Sequence, residues 1–232
     1  MGSWPFGMGP RNSRSEPLMR IGVDFDNTLA DYDTLFVKLA VEEGLLVAPV
    51  TGGKRAVRDT LRQAVDGEFA WRHLQALAYG PRMAEAQLMP GAGAFLAACA
   101  HQGLDISIIS HKSLRAADQS VTDDLREAAT AWMVAQGFFD RLGLAEDRVF
   151  FEDTRQAKVG RIGDARCTHF IDDLEEVFLT PGFPDDVRRI LFDRDGAPSA
   201  FGAHKPPFET FRTWEEIADA CFSTSGTRYR SH

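Results

Sequence analysis

"MRIGVDFDNTLADYD", Met19 to Asp33, carries a short apolar run, Ile21-Gly22-Val23, directly into four acids: Asp24, Asp26, Asp31 and Asp33. An apolar run of this length reads as a buried strand, and its end presents carboxylates. Like charges so close repel and raise one another's proton affinity, so the crowding needs a cation or a chemical use to justify it.

Further runs have the same character. "LDISIIS", "DRVFFE", "CTHFID" and "RRILFD" read as buried strands, and helical patterns separate them. "PGAGAFLAACAHQG" places Phe95, Leu96, Ala98 and Cys99 on one stripe and stops at Gly103. "VTDDLREAATAWMVAQG" does the same with Leu125, Ala128, Ala129 and Trp132 and stops at Gly137. "TWEEIADACF" begins with Thr213 and Glu216 at capping-box spacing. Strands alternating with helices predict an α/β fold: an open parallel sheet, Rossmann-like, wound by right-handed crossovers.

One connection breaks the rhythm. About eighty residues separate Asp26 from Ser110, where a βαβ unit takes about thirty. The excess has helical patterns of its own, at Leu35 and Leu39 and again at Val57, Leu61, Ala64 and Val65. The expected organisation is an α/β core over 18–32 and 89–222, a helical insertion over 33–88, and tails without fixed structure over 1–17 and 223–232. A connection that long usually serves as a lid.

The chain has 232 residues, 44% of them apolar, enough for one large domain or a domain with an insertion. With 26 basic and 34 acidic residues its net charge is −8, which argues against a nucleic-acid polymer as partner. Cys99, Cys167 and Cys221 lie far apart beside apolar stretches and read as buried thiols. The N-terminal stretch lacks a signal peptide's apolar core and no run reaches the ~20 residues of a membrane span. The expected location is the cytoplasm, with no membrane partner. Oligomeric state has no signature in the sequence.

In an open parallel sheet, ligands bind beyond the carboxyl ends of the strands. The residues there are Asp24 and Asp26 after the first run, Ser110, His111 and Lys112 after the second, and Asp172 and Asp173 after the fourth. Lys158 opens the helix leading into that fourth strand, with Arg155 as its substitute. Several carboxylates at one sheet edge, all oxygen ligands, suit Mg²⁺ with a substrate phosphate. Ser110 and Lys158 would then hold phosphoryl oxygens. Asp26, two residues beyond Asp24, would share its side if strand geometry persisted, and crowding would raise its proton affinity for acid–base work.

At these residues the sequence resembles the haloacid dehalogenase-like (HAD) superfamily. "DFDNT" (Asp24 to Thr28), "IIS" ending at Ser110, Lys158, and "FIDD" ending at Asp172-Asp173 look like its four ordered motifs, over about residues 19 to 180. The resemblance implies an α/β core with a small α-helical cap domain between the first and second motifs. It implies Asp24 as nucleophile and Asp26 as acid/base, with Ser110 and Lys158 on the phosphoryl group. Mg²⁺ would be held by Asp24, the Asp26 main-chain carbonyl and Asp172, with Asp173 assisting. Asn27 stands where many members have glycine. The expected activity is Mg²⁺-dependent hydrolysis of a small phosphorylated metabolite, with phosphomutase or phosphotransferase action as the alternative.

Blander readings stand beside these. His111 is as readily a loop residue as a phosphate ligand. Arg55, Arg58 and Arg62 share a helical stripe that reads first as a solvated face and second as an anion clamp. Trp71 and Tyr79 favour core packing over ligand stacking. A phospho-accepting receiver module also uses an acid pair, a Ser/Thr and a Lys, but there the acid pair precedes a central acceptor, the reverse of the order here. A catalytically weak binding protein would not need the complete set.

Overall fold

The computed structural model describes residues 19–196 and 206–223. The expected tails, 1–17 and 223–232, therefore fall outside the described residues, apart from Ser223.

Strand β1 (Arg20–Val23) has three of its four residues buried, as a parallel strand covered on both faces requires. The chain then turns into β2 (Ala30–Asp31) and runs through three helices, α1 (Asp33–Glu42), α2 (Gly53–Leu61) and α3 (Gly67–Tyr79). It returns as β3 (Gln87–Leu88), which pairs antiparallel with β2, Ala30 opposite Leu88. The stretch 33–88 thus holds the three helices and closes with a strand. The rest alternates: α4 (Ala92–His101), β4 (Asp105–His111), α5 (Leu125–Ala135), β5 (Val149–Glu152), α6 (Arg155–Asp164), β6 (His169–Asp172), α7 (Glu175–Phe178), β7 (Arg188–Phe192), β8 (Glu209–Phe211) and α8 (Trp214–Phe222).

Six strands form one parallel sheet in the order β5-β4-β1-β6-β7-β8. The chain leaves β1 toward one side and crosses back to the other after β5, so strand order reverses beside β1. Loops diverge at such a point and leave room for a ligand. Gly22 lets β1 sit close to its neighbours: a Cβ there would fall 2.6 Å from the Phe170 ring and 2.8 Å from Cys167 Sγ.

Pleat alternation sends successive residues into different layers. Ile108 and Ile171 join the cluster of Phe25, Phe36, Trp132 and Trp214, while Ile109 and Phe170 join Val159, Phe178 and Leu191 on the opposite face. The insertion shares the first cluster through Phe36, Trp71 and Leu74. Phe36 stacks on Trp71 with centroids 4.9 Å apart, so Trp71 is a packing residue. Cys99, Cys167 and Cys221 are buried thiols. Among the described residues no helix is long and apolar enough to cross a membrane.

The helix signals hold at atomic level. Gly103 and Gly137 both take the left-handed backbone that ends a helix, and Asp124 accepts from the amides of Arg126 and Glu127 at the start of α5. At α8 Thr213 Oγ1 accepts from Glu216, but Glu216 answers to the amide of Arg212, one residue earlier than a regular capping box. Lys158 does not open its helix. Thr154 caps α6 by accepting from Ala157, which moves the start to Arg155 and puts Lys158 one turn in, 2% exposed and facing the sheet.

Candidate active site

The site begins where β1 stops. Asp24 still pairs across the sheet, its amide donating to Ile171 O at 2.9 Å. Beyond it the chain folds into a tight turn in which Leu29 and Ala30 both donate to Phe25 O. Asn27 sits at φ 60°, a left-handed backbone that glycine adopts freely and asparagine tolerates better than most side chains. The turn, rather than continued strand geometry, brings Asp26 to the same cavity as Asp24.

That cavity encloses about 250 Å³ at the carboxyl ends of β1, β4 and β6. Asp24, Asp26, Ser110, His111, Lys158 and Asp173 line it, joined by Asn27, Lys54, Tyr79 and Arg155. Asp24, Asp172 and Asp173 each offer an oxygen within 4.8 Å of the others. Lys158 Nζ bridges two of them, at 2.5 Å from Asp24 Oδ1 and 2.6 Å from Asp172 Oδ2. Burial works against that ammonium, but the charges of Asp172 and Asp24 outweigh it and keep Lys158 protonated. Asp172 and Asp173 are both pushed up, first by burial and then by the charge of Asp24.

Fully ionised, three carboxylates against one bridging lysine would leave two negative charges uncompensated, which is why Asp172 and Asp173 hold their protons more tightly here. An all-oxygen donor set with that deficit fits a divalent cation such as Mg²⁺. The Asp26 side chain stands apart from the triad. Both its oxygens accept from Lys112 Nζ, at 2.9 and 3.0 Å, and Oδ1 also accepts from the Tyr32 hydroxyl at 2.5 Å. Burial works to raise this carboxyl, yet Lys112, Tyr32 and the charge of Lys54 together hold it below the usual range. The raised proton affinity expected from crowding is therefore corrected: Asp26 has a lysine of its own and rests ionised.

No protein-family model matches the chain, and no curated protein matches it in sequence. Solved structures match along most of its length. A HAD-family hydrolase from Deinococcus radiodurans with bound phosphate and sodium has a TM-score of 0.54 at 12% identity, over 89% of this chain and 96% of that one. The Bacillus subtilis protein YfnB bound to magnesium scores 0.52 at 14% identity, over 89% and 100%. Protein tyrosine kinase A from Mycobacterium tuberculosis scores 0.55 at 16% identity, over 89% and 99%. The chain has the haloacid dehalogenase-like fold. Likeness at such low identity reaches no further than the fold, so the chemistry has to be read from the side chains.

Within this HAD fold, Asp24, Asp172 and Asp173 converge on one point, with Lys158 among them and Ser110 in the cavity wall. Arg155 also lines the cavity, from the first residue of α6, so the two cations weighed for one place occupy different ones. His111 is at the exposed rim, with Nε2 3.1 Å from Asp153 O. The arginine stripe stays outside: Arg55 approaches Asp195 at 3.9 Å, Arg58 pairs with Asp59 and Arg62 with Glu68, each at 2.8 Å. These are solvated ion pairs.

Four participants have no site role in the sequence: Tyr32 and Lys54, which it does not single out, Lys112, which it places at the strand end without a role, and Tyr79, which it assigns first to core packing. Lys112 had a signal, because it lies two residues after Ser110 and strand alternation returns it to the same side. Tyr79 packs its ring 5.0 Å from Lys112 Nζ, which makes it cavity wall as well as core. Lys54 had none, since nothing in the stripe beside it shows which residue of α2 turns inward. Its ammonium donates to Asn27 Oδ1 at 2.8 Å and lies over the rings of Tyr32, Phe36 and Tyr79 at 5.8, 5.6 and 5.5 Å.

Proposed function

We propose that this chain is a Mg²⁺-dependent phosphatase that hydrolyses a small phosphomonoester metabolite through an aspartyl phosphate on Asp24. The observation that carries the reading is the convergence of Asp24, Lys158 and the Asp172–Asp173 pair in one small cavity at the reversal of strand order. Asp24, Asp172, Asp173 and the main-chain carbonyl of Asp26 would hold Mg²⁺; bound there, the ion offsets charge on the phosphoryl oxygens.

Asp24 Oδ attacks phosphorus while the ester P–O bond breaks, and Ser110 and Lys158 orient the phosphoryl oxygens. The leaving oxygen takes a proton through Asp26, replenished from Lys112 or Tyr32, both of which donate to it. Water then attacks the phosphorus of the aspartyl phosphate, Asp26 accepts its proton, and the bond to Asp24 breaks to release phosphate. The carboxylate form of Asp26 seen here suits that second step directly. Helices α1 to α3 act as a cap: with Lys54 and Tyr79 over the cavity, a small metabolite fits and a nucleic-acid polymer does not.

The Deinococcus hydrolase holds phosphate and YfnB holds magnesium, in keeping with this reading. Turnover of para-nitrophenyl phosphate with and without Mg²⁺, by the parent and by Asp24→Asn, tests it. The parent is expected to require Mg²⁺ and the variant to fall to background. Undiminished turnover in Asp24→Asn would remove Asp24 as nucleophile, and inactivity of the parent on a broad phosphate panel would remove the activity itself.

A further inference from the structure

Resting on the phosphatase reading, we propose that Lys54, brought to the cavity by α2, is the cation that meets the transferring phosphoryl group from the insertion side, and that the leaving group is small and uncharged. The argument is one of charge. With a divalent cation bound, Asp24, Asp172 and Asp173 would carry three negative charges, which that cation and Lys158 would offset. Asp26 is neutralised by Lys112. The cations left lining the cavity are Lys54 and Arg155, neither of which makes an ion pair among the described residues. Their two positive charges match one phosphomonoester dianion. A second anionic group on the leaving side would be left without a partner in a cavity of about 250 Å³.

Lys54 is poorly explained as a structural residue. Its contacts are a neutral amide oxygen and the faces of three rings; the charges of Asp173 and Asp26 favour the ammonium, but among the described residues no carboxylate pairs with it directly, and a half-buried cation held in this way costs stability that an apolar side chain would not. Cation–π contacts hold the ammonium in place without neutralising it. An ammonium has three donors; Asn27 takes one, which leaves donors for a ligand in the cavity. The backbone is drawn in to make this possible. The Lys54 amide donates to Asp33 Oδ1 at 2.9 Å, and Gly53, at φ +62°, lies where a Cβ would overlap the Asp33 carboxylate.

Inorganic phosphate, titrated calorimetrically in the presence of Mg²⁺ into the parent, Lys54→Met and Lys54→Arg, separates the possibilities because it has no leaving group. Lys54→Met is expected to bind phosphate about tenfold more weakly, with an unchanged or higher melting temperature, and Lys54→Arg to retain much of the affinity. Phosphate binding by Lys54→Met equal to the parent's would overturn the contact. In parallel, alkyl phosphates with neutral leaving groups are expected to be hydrolysed in preference to carboxylate- or phosphate-bearing ones. The reverse preference, abolished in Lys54→Met, would place Lys54 on the leaving group and overturn the uncharged assignment. A parent that neither binds phosphate nor turns over para-nitrophenyl phosphate would fail the phosphatase reading itself, a result distinct from both.

Discussion

Asp26 shows how far a neighbour can reverse what burial alone would do. Desolvation argues for a protonated carboxyl, yet the bidentate ammonium of Lys112 and the Tyr32 hydroxyl hold it ionised. Removing one member of such a pair leaves an uncompensated charge, whereas removing both charges is far milder. Lys112→Met is expected to lose about 2 kcal/mol of stability in urea denaturation. The double variant with Asp26→Asn should recover most of that loss. If the two single losses simply add, the pair is not coupled and the geometry at Asp26 has been misread. At this scale the sequence was legible wherever a residue follows a strand: Asp24, Ser110, Asp172 and Asp173 all lie where an apolar run ends. Lys54 and Tyr32 were not, because they reach the site from the insertion and the turn before it, whose packing no local period encodes.

Among elements, the placement of α2 depends on a contact from the far end of the sheet. Arg194, just after β7, donates to Asp31 Oδ2 at 2.8 Å and to Asp33 Oδ2. Asp33 in turn holds the Lys54 amide at the start of α2. Asp31 and Asp33, the two acids of the opening stretch that take no part in catalysis, thus fasten the insertion to the core. Arg194→Ala should loosen the first turn of α2 by about 1 kcal/mol and lower kcat/KM several-fold through Lys54. Faster amide exchange confined to α2 and the β2 turn would accompany it; unchanged exchange there would show that α2 is held by packing alone. Strands β1, β4, β6 and β7 were legible because most of their residues are buried in the sheet, and edge strand β5 because its Val-Phe-Phe run is apolar although only half-buried. Strand β8 was not, since two of its three residues are exposed, and β2 and β3 are too short to show a period. The start of α6 differs for another reason: Thr154 is a good N-cap, four residues ahead of Lys158.

Over the whole molecule, the insertion and the sheet share one hydrophobic cluster, running from Phe36 and Trp71 through Phe25 to Trp132 and Trp214. Insertion and core therefore stand or fall together, despite the long connection that makes 33–88 look separable in sequence. A shared core also explains how a helix as short as α2 can hold a half-buried cation: the cost is spread over packing it does not itself supply. Trp71 is the test, being 3% exposed and stacked on Phe36 and remote from the catalytic carboxylates in sequence. Trp71→Ala is expected to cost about 3–5 kcal/mol and to lower the urea midpoint of the entire chain. Far-UV circular dichroism and the fluorescence of Trp132 and Trp214, two of the three tryptophans that remain and both in the core, should report the same shifted transition. Were the insertion an independent unit, its helices would melt first and leave the tryptophan signal at the parent's midpoint. Coincident transitions would show that 33–88 does not unfold separately from the sheet.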